Sequence, residues 1–116
     1  MATHNSEIGN LSLEFVRVTE LAAIAAAKWT GKGDKKLADK AAVDAMREAF
    51  NQIDFSGEIV IGEGAKDESY ELFIGEKVGT GKGPILDIAV DPLECTSSVA
   101  FGRPNALTVI ATGPEN

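Results

Sequence analysis

The sequence predicts an α/β domain in which two long helices pack on a sheet. Three observations carry this reading. Apolar residues recur at helical spacing through two early stretches. Two later β-branched runs show no alternation, which suits strands covered on both faces. Each of those runs then ends in an acid beside glycine or proline, at the kind of strand terminus where open α/β sheets place their ligands. The 116 residues make one domain, and 18 acidic against 11 basic residues leave a net charge of −7. That balance argues against nucleic acid, which needs clustered Lys and Arg. A single cysteine, Cys95, excludes an internal disulfide framework and suits a reducing, cytoplasmic setting. No apolar run reaches membrane-spanning length, so no membrane partner is expected. Met1 to Asn10 is polar and unlike a signal peptide; it is expected to be a flexible tail, with His4 in solvent.

From Leu11 to Trp29, the residues Leu11, Phe15, Val18, Ala22, Ala25 and Trp29 lie along one helical stripe. Gly31-Lys32-Gly33 closes that helix, because glycine tolerates the left-handed conformation of a helix end. Asp34 then stands as the N-cap of a second helix, Lys35 to Ile53, whose buried stripe reads Ala42, Met46, Phe50 and Ile53 with Val43 beside it. Asp39 falls on that same face. Read alone it is a first-turn acid that complements the helix dipole, although a carboxylate on an apolar face is costly unless a cation or hydrogen bonds meet it.

Glu58-Ile59-Val60-Ile61 is the first strand, ending in Gly62-Glu63-Gly64, where the glycines allow a sharp turn and leave the Glu63 carboxylate at the strand's carboxyl end. A polar loop, Ala65 to Glu71, leads to the short apolar piece Leu72-Phe73-Ile74. Gly75 to Pro84 is glycine-rich but fails as a nucleotide-binding loop, since Gly75 and Gly81 have five residues between them where such a loop has four, and Lys82 is followed by Gly83 rather than Ser or Thr. A mobile linker is expected there. Ile85 to Val90 is the second strand, and Asp87 within it is read as structural. A short helix from Thr96 to Phe101 and a strand from Ala106 to Ala111 complete the chain.

The second strand runs into Asp91-Pro92-Leu93-Glu94-Cys95-Thr96. Asp91, preceding proline, is driven to extended backbone, and Pro92 locks its own φ. Asp91 and Glu94 are thereby held on a stiff corner, where close oxygen anions suit Mg²⁺ or Mn²⁺. Thr96-Ser97-Ser98 adds hydroxyls and backbone N–H groups that favour phosphate. The same residues also suit an ordinary strand-to-helix turn capped by Asp91 or Thr96.

Lys28-Trp29-Thr30-Gly31-Lys32-Gly33-Asp34-Lys35, Leu37-Ala38-Asp39-Lys40-Ala41-Ala42-Val43, Ile61-Gly62-Glu63-Gly64, Gly75-Glu76-Lys77-Val78-Gly79 and Asp87-Ile88-Ala89-Val90-Asp91-Pro92 follow one another. In this order they resemble the class II fructose-1,6-bisphosphatases, members of the metal-dependent, lithium-sensitive sugar and inositol phosphatase superfamily. The resemblance implies the amino-terminal part of a layered sugar-phosphatase fold, two long helices on a mixed sheet, over residues 11–116. It implies hydrolysis of the 1-phosphate of fructose 1,6-bisphosphate, with sedoheptulose 1,7-bisphosphate as a further substrate. It assigns Asp39, Glu63, Asp91 and Glu94 as ligands of Mg²⁺ or Mn²⁺, and so replaces the surface reading of Asp39. Asp67 and Thr96 become the pair that orients the attacking water, and Glu94, Cys95 and Thr96 the segment that touches phosphate. The expected partner is a sugar bisphosphate, with homo-oligomers left open.

Three positions depart from the family's pattern. Cys95 stands where the family has glycine, Ala65 where it has a second glutamate, and Ser69-Tyr70-Glu71 where it has a small-proline-methionine sequence. A positive φ at Cys95 would cost on the order of 1–3 kcal/mol. Family members are also longer, and their later half carries another glutamate ligand and most sugar contacts. Two alternatives follow: a short or inactive relative that binds metal or phosphate without turnover, and a substrate of the inositol monophosphate type.

Overall fold

The computed structural model describes residues 2–64 and 72–115, with side chains from residue 11 onward. The first helix, α1, runs Ala2–Ala27. Helical backbone therefore occupies the stretch expected to be a loose tail. That stretch holds no proline, and Gly9 costs a helix interior only about 1 kcal/mol relative to alanine. On its inner side α1 buries Leu11, Phe15, Val18, Ala22 and Ala26.

Gly31 and Gly33 turn the chain with φ of 74° and 75°. Their N–H groups donate to Val99 O at 2.8 Å and Ala100 O at 2.7 Å, tying the turn to a distant segment. Asp34 caps α2, Lys35–Phe50, by accepting the Leu37 N–H at 3.0 Å. The expected stripe is buried: Ala42, Val43, Met46 and Phe50, then Ile53 just beyond the helix. Between the helices and the sheet, the rings of Phe15, Phe50 and Phe55 pack with centroids 5.1–5.9 Å apart. Edge-on aromatic packing of this kind adds to the burial itself.

Four strands follow: β1 (Ser56–Ile61), β2 (Lys77–Val78), β3 (Ile85–Glu94) and, after the short helix α3 (Thr96–Ala100), β4 (Leu107–Pro114). They form one mixed sheet in the order β2-β1-β3-β4. Strands β1 and β3 are parallel, while β2 and β4 are antiparallel to their neighbours. The helices cover one face, over Ile59, Ile88 and Val90. No helix among the described residues is long and apolar enough to cross a membrane.

Three expectations are corrected. The first two strands were expected to be covered on both faces, yet Val60, Ile61 and Ile85 are 39%, 64% and 58% exposed. A register shift between Ile59 and Ile61 contributes, since it brings Ile61 beside Ala89 on the open face. Secondly, β3 does not stop at Val90 but continues through Pro92 to Glu94. Asp91 pairs with Val109 and Glu94 with Leu107, so β3 holds one extra residue there. Proline has no N–H to give a ladder, and a bulge is where a strand tolerates it. Thirdly, the supposed linker 75–84 contains β2, with Val78 and Glu76 buried. Two residues are too few for a sequence period to reveal.

The aromatic cluster makes a direct prediction. Phe55→Ala should destabilise the fold by about 3–5 kcal/mol, the usual cost of truncating a buried Phe. Urea denaturation would measure it, and a loss under about 1 kcal/mol would show that the cluster is not central to the core.

Candidate metal site

Parallel pairing of β1 and β3 sends both carboxyl ends to one edge of the sheet. At that edge the chain leaves β1 through Gly62-Glu63-Gly64. Gly62 is required by space: a Cβ there would lie 2.3 Å from Leu72 O and 2.5 Å from Ile59 Cγ2. Gly64 has φ 106°, outside the range of most side-chain-bearing residues. The turn is then pinned, with the Glu63 N–H donating to Leu72 O at 2.9 Å and the Ile74 N–H to Gly64 O at 2.8 Å.

Three acids from separate elements meet here. Asp39 comes from the first turns of α2, Glu63 from the end of β1, and Asp91 from β3. Burial holds the Asp39 carboxyl above its usual range, and the charge of Asp91 pushes the same way, while a hydrogen bond with Glu63 works against both. Glu63 is pushed further, to about 7, first by burial, then by the charges of Asp39 and Asp91, with the Asp39 bond adding to the effect. Two carboxyls share a hydrogen bond only when one holds a proton, and these directions give the proton to Glu63. Its Oε1 is buried without any hydrogen-bond partner. A buried, unpaired oxygen among like charges is an arrangement that a cation would relieve.

The other expected residues stand as follows. Glu94 is exposed at the end of β3, and the charges acting on Asp39 and Glu63 are each other's and Asp91's. Thr96 opens α3, half-buried. Asp67 lies outside the described residues. Cys95 is exposed and left-handed, with φ 68° and ψ 56°, and its side chain makes no capping bond. Among the described residues, no group of three or more His, Cys, Asp or Glu is placed so that it could hold a metal ion as it stands. The acids stand within electrostatic reach, with Glu63 turned to Asp39 through a shared proton.

One residue of the site's support was missed from the sequence. Glu76 is only 8% exposed. Its Oε2 accepts from Arg47 Nε at 2.9 Å and its Oε1 from the Phe73 N–H at 3.2 Å. It holds the 72–76 segment that receives Glu63. The glycine-flanked glutamate was visible in the sequence, but its partner lies 29 residues away on α2, and nothing local reveals the pairing.

Residues 9–116 match the family model described as bacterial fructose-1,6-bisphosphatase, glpX-encoded. The chain belongs to that family. It is 59% identical over 105 residues to fructose-1,6-bisphosphatase 1 class 2 of Escherichia coli K12, covering 90% of this chain and 31% of that protein. To fructose-1,6-bisphosphatase class 2 of Haemophilus influenzae it is 54% identical over 106 residues, 91% of this chain and 32% of the other. The chain thus spans about a third of the length of these class 2 fructose-1,6-bisphosphatases.

Two expectations follow from the site's energetics. Left-handed backbone costs a residue with a Cβ roughly 1–2 kcal/mol, against up to about 1 kcal/mol of added unfolded-state entropy for glycine. Cys95→Gly should therefore raise stability by about 0.5–1 kcal/mol in thermal or urea unfolding, while Cys95→Ala, which keeps the Cβ, should give no such gain. The second concerns pH without added metal. Glu63 binds its proton more tightly folded than unfolded, so between its ordinary value of 4.5 and about 7 the folded state holds more protons. Stability then falls as pH rises through that window. Melting temperatures from pH 5 to 8 should decline more steeply for the natural chain than for Glu63→Gln; parallel curves would exclude Glu63 as the source.

Proposed function

We propose that this chain is the metal-holding part of a phosphatase that hydrolyses the 1-phosphate of fructose 1,6-bisphosphate, with sedoheptulose 1,7-bisphosphate as a second substrate. The observation that carries the reading is the meeting of Asp39, Glu63 and Asp91 from three elements at one sheet edge, around an unpaired buried oxygen of Glu63. Its chemistry suits a hard divalent cation with oxygen ligands, Mg²⁺ or Mn²⁺. The relatives' names supply the substrate class.

In this reading Asp39, Glu63, Asp91 and Glu94 hold the ions, and Glu63 gives up its proton when it does so. Bound divalent ions would supply charge neutralisation at the phosphoryl oxygens and a more acidic water. Asp67 and the Thr96 hydroxyl orient that water in line with the phosphorus. The Glu94-Cys95-Thr96 segment faces the transferred phosphate, the left-handed turn at Cys95 bringing its backbone round to the strand end. A cytoplasmic setting fits the single, unpaired thiol.

A second reading has its own support. A side chain on left-handed backbone beside the phosphate segment is strained and occupies space, as in a relative that binds metal or phosphate without turnover. Calorimetric titration with Mn²⁺ separates the possibilities, alongside phosphate release from fructose 1,6-bisphosphate. The expected result is heat and a thermal shift in the natural chain, at least tenfold weaker binding in Glu63→Gln, and weak release that disappears in Asp91→Asn. Absence of both heat and shift would overturn the metal reading. Binding without release, in the natural chain and in Cys95→Gly alike, would favour the non-catalytic relative.

A further inference from the structure

Among the described residues, Glu76 is the one charged side chain that is buried. A carboxylate taken out of water is costly unless other groups meet it, and replacing such an ion pair by apolar side chains often costs no stability. Core packing alone therefore gives no reason for a glutamate here. What it contributes is geometry. Its N–H donates to Phe73 O at 3.0 Å while its Oε1 accepts the Phe73 N–H at 3.2 Å, so residues 73–76 are closed by a main-chain and a side-chain bond together. The turn is tied to β1, since the Gly75 N–H donates to Ile59 O at 2.8 Å and the Ile59 N–H to Glu76 O at 2.9 Å.

This turn follows a strained residue. Leu72 is fully buried yet left-handed, with φ 56°, a conformation that a side-chain-bearing residue holds only where its surroundings impose it. That kink presents Leu72 O to the Glu63 N–H at 2.9 Å. It leaves no slack, because a Cβ at Gly62 would meet the same oxygen at 2.3 Å. The other carboxylate oxygen of Glu76 is held from α2, by Arg47 Nε at 2.9 Å. Arg47 lies eight residues after Asp39 on that helix, about 12 Å along its axis. One rigid element thus carries the Asp39 carboxylate and, through Arg47, Glu76 and Leu72, fixes the backbone from which Glu63 projects.

We propose that the Arg47–Glu76 pair positions Glu63 relative to Asp39 and thereby sets the affinity of the acidic edge for a divalent cation. The proposal rests on the metal reading of these acids, and neither Arg47 nor Glu76 touches the ion in it. Partners of this indirect kind ordinarily change metal affinity by roughly 10–100-fold.

Amide hydrogen exchange followed by NMR, without metal, reads the hold on Glu63 directly. Glu76→Ala should speed exchange at the Glu63 N–H about tenfold relative to Ile88 in β3. Arg47→Met should do so by a smaller factor, and that side chain, 43% exposed, can be lost without emptying the core. Calorimetric titration with Mn²⁺, at a temperature where every variant is folded, should show about tenfold weaker binding in Glu76→Ala and a smaller loss in Arg47→Met. The double variant should bind no more weakly than Glu76→Ala, because both changes act through one contact. Val18→Ala, a core truncation on α1, lowers stability without touching the turn and should leave both readings as in the natural chain. Unchanged exchange at Glu63 in both variants would overturn the proposal whatever the metal does, as would equal losses in Val18→Ala. Faster exchange with unchanged Mn²⁺ affinity would overturn it and leave the metal reading intact. A natural chain that binds no Mn²⁺ would overturn the metal reading, and the proposal with it.

Discussion

The site depends on the parallel pairing of β1 with β3. Two parallel neighbours end at the same edge, so whatever follows each of them is delivered to one place. Glu63 follows β1, and Asp91 lies near the end of β3. Had β3 run the other way, these acids would stand at opposite ends of the sheet. The N-terminal turns of α2 reach the same edge and add Asp39. The arrangement opposes folding to some degree, because three carboxyls of like charge are partly withdrawn from water. A shared proton between Asp39 and Glu63 lowers that cost, and Glu63 keeps it up to about pH 7. The hydrophobic core beneath the sheet, with its three phenylalanine rings, offsets what remains.

Holding an unfavourable cluster in place takes rigid support, which comes from residues 72–76. Leu72 O receives the Glu63 N–H, and Ile74 closes the turn onto Gly64. That segment is fixed in turn by Glu76, whose buried carboxylate is bound by Arg47 and the Phe73 N–H. A half-buried ion pair is poor evidence for added stability. Its stronger effect is on uniqueness: moving Glu76 would take the acceptor from the Phe73 N–H and release the segment that aims Glu63. Cys95 works in the opposite sense on the other side of the site. Its left-handed backbone stores strain where a glycine would store none.

How far these features could be read in advance varied with their range. Both long helices were legible because each repeats its period over several turns, and Asp34 announced the second one. The acids at the strand ends were legible too, since Gly62, Gly64 and Pro92 mark them locally. Asp39 was not, because its meaning lies in Asp91 and Glu63, far along the chain. Only the resemblance grouped it with Glu63 and Asp91. The two-residue β2 and the Arg47–Glu76 pair escaped for the same reason, being long-range partnerships with almost no local pattern. Pro92 misled in a specific way: it suggested the end of a strand, whereas the bulge lets β3 absorb it and continue.

The two faces of the sheet are unequal around the acids. Along β3, Ile88 and Val90 point into the core while Asp91, of the opposite parity, is exposed. Asp39 approaches from the helical side, where Ala38 and Ala42 are fully buried. The acids therefore straddle the edge of the sheet, with Asp39 backed by α2 and Asp91 open to solvent. The packed helical layer blocks approach from behind.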